Sequence, residues 1–176
     1  MDRLLSDYIR VYPGIIPLSL CNRLIERFAL CEPEILDNEN HKFKQVNLVK
    51  NRATFEQEIK DLALIFSRTV NDYIKELDIK HFPTRWGYEE FRLKEYSQGD
   101  YFNEHVDAND YPTARRFLSI FAYLNVNGGT NFECKDVDVD RPGTIVIFPP
   151  LWLYPHYGVV KPEGKKYFLG TYLHYL

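Results

Sequence analysis

From Trp86 onward the chain consists of short apolar or alternating runs separated by turns, and this pattern constrains the fold more than any other feature. Runs of this length bounded by glycine, proline and asparagine are typical of β-strands. Candidate strands cover residues 91–96, 117–124, 132–135, 137–139, 144–148 and 166–175. Turn signals lie between them at residues 97–100, 127–130, 141–143 and 161–164. The pattern predicts a jelly-roll-type double sheet, which stacks short antiparallel strands in two layers.

The first 85 residues have helical spacing instead. Apolar residues recur at helical intervals from Leu18 to Phe28 and again from Ile59 to Leu77, which predicts helices over about residues 18–28 and 55–77. The polar segment 33–50 between them has no clear period, so we interpret it as a loop. We expect one domain over residues 1–176, with a helical support region at 1–85 and a jelly-roll catalytic core at 86–176. The fold class is therefore mainly β, with N-terminal helices that buttress the sheets.

Composition favours a globular enzyme in the cytoplasm. Hydrophobic residues make up 45% of the chain and aromatic residues 15%, which argues against disorder. The formal net charge of -3 makes nucleic acid an unfavoured partner. No apolar run reaches the roughly 20 residues that span a bilayer, and the N-terminus lacks the apolar segment of a secretory signal. The three cysteines form no C-x-x-C pair, and we expect reduced thiols.

Two histidines and an aspartate are the candidate metal ligands. His105 and Asp107 are separated by one residue, so an extended backbone places both side chains on one face. His156 follows an apolar strand that begins after Pro142-Gly143. Two imidazoles and one carboxylate can occupy one face of an octahedral metal and leave the opposite positions open, as in non-haem Fe(II) oxygenases. A solvated loop pair and a buried structural histidine are the alternatives. We assign the remaining histidines to structure or surface: His41, His81 and His174.

The segment from about Trp86 to the C-terminus resembles the 2-oxoglutarate/Fe(II)-dependent dioxygenases, in particular their prolyl 4-hydroxylase-like branch. Five elements occur in the family's order. They are the Y-x-x-G of residues 96–99, the H-x-D of 105–107, the YLN followed by GG-x-x-F of 123–132, the strand 142–149, and His156 followed by G-x-K-Y at 164–167. The resemblance implies a double-stranded β-helix, another name for this jelly roll. It also implies Fe(II) and 2-oxoglutarate as cofactor and co-substrate, O₂ as oxidant, and ascorbate to keep the iron reduced.

The resemblance also implies roles for residues around the metal. His105, Asp107 and His156 would bind Fe(II). Lys166, which precedes an aromatic residue, would bind the distal carboxylate of 2-oxoglutarate. Lys165 competes for this role, but strand alternation places the two lysines on opposite faces. Tyr123 and Tyr96 match tyrosines of the co-substrate pocket, and Tyr172 shares the face of Lys166; simple packing is the alternative for all three tyrosines.

Three function classes remain open from the sequence. The first is hydroxylation of an unactivated C–H bond, favoured as a prolyl residue in a peptide or protein. The second is the same chemistry on a small molecule or a nucleobase. The third is a non-catalytic jelly-roll binding module, against which Lys166 argues because such a module needs no co-substrate lysine. The candidate substrate-contacting segments are residues 98–102, 108–116 and 151–154. The oligomeric state is not determined by the sequence.

Overall fold

The computed structural model describes residues 3–176, which contain two α-helices and twelve β-strands. The helices are α1 (Leu18–Phe28) and α2 (Arg52–Glu76), and a short 3-10 helix covers Leu5–Tyr8. The strands are β1 (Arg10–Tyr12), β2 (Glu34–Asp37), β3 (His41–Asn47), β4 (Trp86–Tyr88), β5 (Arg92–Tyr96), β6 (Tyr101–Phe102), β7 (Arg116–Tyr123), β8 (Gly128–Phe132), β9 (Lys135–Asp138), β10 (Thr144–Phe148), β11 (His156–Val160) and β12 (Lys166–Tyr175).

The strands form a large antiparallel sheet and a small one. The large sheet has nine strands in the order β1-β10-β7-β12-β5-β3-β2, with β4 added beside β12 and β6 beside β3. The small sheet has the order β11-β8-β9. A single bridge between His105 and His156 connects β11 to the segment that follows β6. This bridge brings two of the candidate ligands into direct backbone contact.

Alternation along the strands of the large sheet supplies two separate apolar cores. On β7, Ile120 and Ala122 pack on one face, together with apolar residues of α1 and α2. Phe121 and Tyr123 point to the other face, where they meet Phe132 of the small sheet. The first core attaches the helices to the outside of the large sheet, and the second lies between the two sheets. This arrangement is the predicted jelly roll buttressed by helices.

The predicted loop over residues 33–50 is wrong, because this segment contains β2 and β3. The two strands form an antiparallel pair at the edge of the large sheet, and β3 also pairs with β5. The buried residues of β3 are Phe43 and Val46, which are three positions apart and therefore face opposite sides of the strand. Val46 joins the helix-facing core, whereas Phe43 packs against Tyr96 and Phe102 on the other side. Because β3 buries only one residue on each of its sides, its sequence has no two-residue apolar period.

The predicted turn at residues 127–130 is also wrong in part, because Gly128 and Gly129 lie inside β8. A side chain on Gly128 would place its Cβ 2.0 Å from the carbonyl oxygen of Val159, and one on Gly129 would lie 2.0 Å from that of Val137. The glycines therefore permit close approach of the strands on both sides of β8.

Both helices are confirmed, although α2 begins at Arg52, a few residues before the predicted start. The region before residue 85 is more than a helical support, since β1, β2 and β3 add to the large sheet. Within residues 3–176, neither helix is long and apolar enough to cross a membrane.

Candidate metal centre and adjoining cavities

The structure brings His105, Asp107 and His156 together at the open end of the space between the two sheets. His105 and His156 exchange two backbone hydrogen bonds, with N···O distances of 3.0 and 2.9 Å. Asp107 follows two residues after His105 and points to the same side. Its Oδ1 lies 3.7 Å from Nε2 of His105, and its Oδ2 lies 3.8 Å from Nε2 of His156. One candidate ligand atom from each residue lies within 4.8 Å of the others, a spacing suited to a single metal ion.

The hydrogen bonds of both imidazoles leave their Nε2 atoms available as metal ligands. Nδ1 of His105 donates to the carbonyl oxygen of Asn103 at 2.8 Å, and Nδ1 of His156 donates to that of Tyr154 at 3.0 Å. With the proton fixed on Nδ1, each Nε2 presents a lone pair toward Asp107. Nε2 of His156 is buried and has no hydrogen-bond partner among the described residues. A buried polar atom without a partner is costly, and a metal ion at this position would satisfy it.

Asp107 is held in place by three neighbouring side chains. The hydroxyl of Tyr172 donates to Oδ1 at 2.9 Å, and the hydroxyl of Ser119 donates to Oδ2 at 2.7 Å. Arg116 donates to the backbone carbonyl oxygen of Asp107 at 2.6 Å and forms two 2.8 Å hydrogen bonds to Glu89. These contacts fix the orientation of the carboxylate and use one lone pair of each oxygen, which leaves a second lone pair on each oxygen for a metal.

Aromatic side chains enclose the two histidines. The ring of Phe102 stacks on His105 with a centroid distance of 3.6 Å. His156 contacts three phenylalanine rings at centroid distances of 5.1–5.6 Å: Phe121, Phe132 and Phe148. Burial, followed by the proximity of His156, lowers the pKa of His105 to about 4. His105 is therefore neutral near pH 7, as a metal ligand must be.

A narrow inner cavity leads from the triad to Lys166. Its lining includes Thr130, Gly158 and Phe168 together with the three candidate ligands. Lys166 is only 3% exposed, and its ammonium donates to the carbonyl oxygens of Gly129 at 2.6 Å and Val159 at 2.9 Å. Burial, and then the charge of Lys94, lower the pKa of Lys166 to about 7. No carboxylate of the described residues lies within ion-pair distance of this ammonium. The cavity thus ends at a buried amine that has no acidic partner.

The two tyrosines predicted beside Lys166 are close to it. The rings of Tyr96 and Tyr123 have their centroids 5.6 and 5.4 Å from Nζ of Lys166. Tyr96 lines the inner cavity, whereas the hydroxyl of Tyr123 is hydrogen-bonded to Thr130. Lys165 points to the other face of β12, where it pairs with Glu95 at 3.0 Å. The predicted strand register, with Lys166 inside and Lys165 outside, agrees with the structure.

A larger outer groove of about 1090 Å³ opens from the triad to the surface. Phe102 of the predicted segment 98–102 lines it, as do Asn109, Thr113 and Arg116 of the predicted segment 108–116. Segment 151–154 does not contribute to this lining: Trp152 is 74% exposed, and Tyr154 is buried in the core between the sheets. Two of the three predicted segments therefore adjoin the candidate metal centre.

The outer groove is also lined by the β2–β3 hairpin and by Lys94, and the sequence analysis predicted neither of them as part of the site. Asn40, His41, Phe43 and Gln45 line the groove from the hairpin. Lys94 lines both the groove and the inner cavity. The alternation of residues 91–96 was a usable signal, because it places Lys94 on the same face of β5 as Tyr96. Because the family resemblance already assigned Tyr96 to the co-substrate pocket, this shared face could have placed Lys94 beside the metal centre.

Solved structures share this architecture along nearly the whole chain. A viral collagen prolyl hydroxylase from Paramecium bursaria Chlorella virus-1, solved as a 2-oxoglutarate (2OG) complex, superposes with a TM-score of 0.73 at 16% identity, covering 99% of this chain and 100% of that one. An oxidoreductase of the 2OG-Fe(II) oxygenase family from Burkholderia pseudomallei gives 0.74 at 12% identity, covering 99% and 92%. A Trichoplax adhaerens prolyl hydroxylase, in complex with a peptide fragment of the hypoxia inducible factor oxygen degradation domain, gives 0.71 at 15% identity, covering 96% and 84%.

These likenesses establish the fold as that of the 2OG-Fe(II) oxygenases and confirm the resemblance to their prolyl hydroxylase-like branch at the level of structure. No family model matches the sequence, and no curated protein matches it. At 12–16% identity, the activity of this chain has to be argued from its own residues.

Proposed function

We propose that this protein is an Fe(II)- and 2-oxoglutarate-dependent dioxygenase that hydroxylates an unactivated C–H bond. The observation that carries the proposal is one continuous cavity with a His-Asp-His cluster at its mouth and a buried, acid-free lysine at its inner end. A metal site alone would be compatible with a simple metal-binding protein. The cationic Lys166 at the other end of the cavity suits a ligand that chelates the metal and also carries a distal carboxylate. A non-catalytic binding module has no need of such a lysine.

In this proposal, His105, Asp107 and His156 bind Fe(II). Their unprotonated Nε2 atoms and the oriented carboxylate would hold the metal, and both cavities adjoin this cluster. When bound, the iron supplies the O₂ chemistry that no protein side chain provides; one oxygen atom enters the substrate and the other enters succinate, with loss of CO₂. The chain's own contribution is to orient the reactants and to exclude water.

Lys166 and Tyr123 would bind the distal carboxylate of 2-oxoglutarate, with Tyr96 beside them. Burial makes the free ammonium costly, and an arriving carboxylate would offset that cost by a charge-assisted hydrogen bond. The lining of Phe121 and Phe168 shields this end from water.

We propose that residues 1–176 act as one catalytic domain, and a cytoplasmic location stays a prediction. Ascorbate is expected to extend turnover by keeping the iron reduced.

We favour a prolyl residue in a peptide or protein as the substrate. The outer groove is open and runs past the candidate metal centre, which suits an extended chain that offers one side chain to the iron. One structural neighbour is a prolyl hydroxylase bound to a peptide, which supports the same class of partner here. A small molecule or nucleobase acted on by the same chemistry is the alternative.

The test is to incubate the protein with Fe(II), 2-oxoglutarate, ascorbate and proline-containing peptides. Succinate formation and a peptide mass increase of one oxygen atom, located on proline by fragmentation, are the expected results. The variant Lys165→Ala serves as a control that keeps the cavity intact. Substrate-dependent succinate with metabolites or nucleobases, and none with any peptide, would contradict the prolyl assignment while retaining the oxygenase. No succinate under any condition would contradict the oxygenase itself.

A further inference from the structure

Lys94 carries a charge at the entrance to the candidate active site, and this charge has no part in the proposed binding of metal or co-substrate. Its ammonium has no hydrogen bond and no acidic partner within ion-pair distance among residues 3–176. It is surrounded by the rings of Phe43, Phe102 and Phe168, with centroids 4.7, 5.1 and 5.9 Å from Nζ. Contacts with ring faces compensate only part of the loss of hydration of an ammonium.

The position of Lys94 is set by the alternation of β5. Arg92, Lys94 and Tyr96 share the inward face of the strand, while Leu93 and Glu95 face the other way. Tyr96 lines only the inner cavity, and Arg92 lines only the outer groove. Lys94 lines both, so its ammonium lies where the two spaces meet.

The other cations beside the triad already have partners. Arg116 is held by Glu89 in a pair of 2.8 Å hydrogen bonds, and Arg92 is paired with Glu90 at 3.1 Å. Lys166 lies deeper, against two backbone carbonyls. Lys94 therefore differs from its neighbours: it is positioned by packing and its donors remain free.

We propose that Lys94 binds a carboxylate of the substrate, held in the outer groove next to the iron. This inference rests on the proposed function and narrows its substrate class to acids; for a peptide, the acid is an aspartate or glutamate adjacent to the hydroxylated residue. The co-substrate does not need Lys94, because its distal carboxylate has Lys166 and its 2-oxo acid end has the metal. A single ammonium among aromatic rings matches one carboxylate better than a phosphate dianion, which calls for several donors.

The experiment compares acids with their neutral counterparts. Proline peptides with Glu or Gln immediately before or after the proline, and small carboxylic acids with their primary amides, are incubated with Fe(II), 2-oxoglutarate and ascorbate. We expect the wild type to prefer the acid of a pair by about ten- to a hundredfold in kcat/KM, the contribution of one charged hydrogen bond. Lys94→Gln should lose this preference, and Lys94→Arg should retain most of it.

Lys44→Gln is the matched control, because Lys44 lies on the neighbouring strand β3 and faces away from the groove toward Glu95. It should keep the preference for acids. Each of three outcomes would overturn the proposal: the wild type consumes amides as fast as acids, it consumes no acid at all, or Lys94→Gln keeps the preference for acids. Thermal unfolding of each variant tests whether Lys94 acts only in packing, in which case Lys94→Gln would unfold earlier but discriminate as the wild type does.

Binding of 2-oxoglutarate to the Mn(II)-loaded protein, measured by calorimetry, separates this inference from the proposed function. At pH 6, where Lys166 is protonated with or without the charge of Lys94, Lys94→Gln should change that affinity by less than about twofold. A loss as large as that of Lys166→Gln would assign Lys94 to the co-substrate and overturn the inference alone. Absence of 2-oxoglutarate binding by the wild type would overturn the proposed function and the inference together.

Discussion

The two faces of the large sheet are built from the same strands but have different compositions and purposes. The helix-facing side is almost entirely apolar, with Leu93 of β5, Ile120 of β7 and Leu169 of β12 all fully buried. The inward side mixes aromatic rings with groups that are costly to bury, such as Lys166 of β12, and it packs against His156 of the small sheet. The helix-facing side therefore supplies stability, whereas the inward side holds polar groups that the chemistry requires and whose burial lowers stability. Substitutions on the two faces should therefore have separable effects.

The largest effect on the metal centre, which adjoins the inward face, should come from the histidines. His105→Ala or His156→Ala should remove metal binding and turnover altogether, because two remaining ligands cannot hold the ion at the cluster. Metal content after purification and dialysis, together with succinate formation, measures this. His81→Ala, an exposed histidine outside the cluster, is the control. Metal stoichiometry like that of the wild type in the His105→Ala/His156→Ala double variant would contradict the assignment.

A large truncation on the helix-facing side should lower stability and leave metal binding intact. Phe66 of α2 is fully buried in the helix-facing core. Phe66→Ala should lower the free energy of unfolding by about 3–5 kcal/mol while the folded fraction still binds metal. Urea denaturation measures the change. Leu64→Ala on the same helix, where the side chain is 54% exposed, should cost less than about 0.5 kcal/mol. Loss of metal binding in folded Phe66→Ala protein would mean that the two faces are coupled.

Lys166→Ala should show that the two ends of the inner cavity have separate functions, co-substrate binding and metal binding. We expect the affinity for 2-oxoglutarate to fall by about ten- to a hundredfold, with metal binding retained, because in the proposed function the ammonium binds the distal carboxylate and not the metal ligands. Lys165→Ala should have little effect, since that side chain points outward to Glu95. Calorimetric titration of Mn(II)-loaded protein distinguishes the two. The opposite ranking would show that the co-substrate binds on the outer face of β12.

The smallest effect we predict is a pH dependence of co-substrate binding. The pKa of Lys166 is lowered to about 7 in the free protein, so raising the pH through 7 removes the proton that a carboxylate needs. The affinity for 2-oxoglutarate should therefore fall by roughly tenfold between pH 6 and pH 8. His105, with its pKa lowered to about 4, stays neutral over this range. Titration at saturating Mn(II) tests this, and an affinity that rises with pH would contradict it.

Much of the fold was predictable because the relevant signals are local. Helical spacing located α1 and α2, and short runs between turns located β5, β7, β10 and β12. The strands at 33–50 were not predictable in the same way. Val46 joins the helix-facing core, Phe43 packs beside the outer groove on the other side of the strand, and the remaining residues of this edge hairpin are largely polar and exposed. A strand that buries one residue on each side has no two-residue period to detect.

The sequence by itself determined which side chains share a face: His105 with Asp107, and Lys166 rather than Lys165 with Phe168 and Tyr172. That follows from the two-residue repeat of extended backbone, which holds wherever the strand lies. Only the tertiary structure decided which faces meet. Three examples depend on contacts between separate segments of the chain. His105 pairs with His156, Lys94 lies where the two cavities join, and Tyr172 and Ser119 donate hydrogen bonds to Asp107. Such contacts depend on strand order and register across the sheets, which no local pattern of residues encodes.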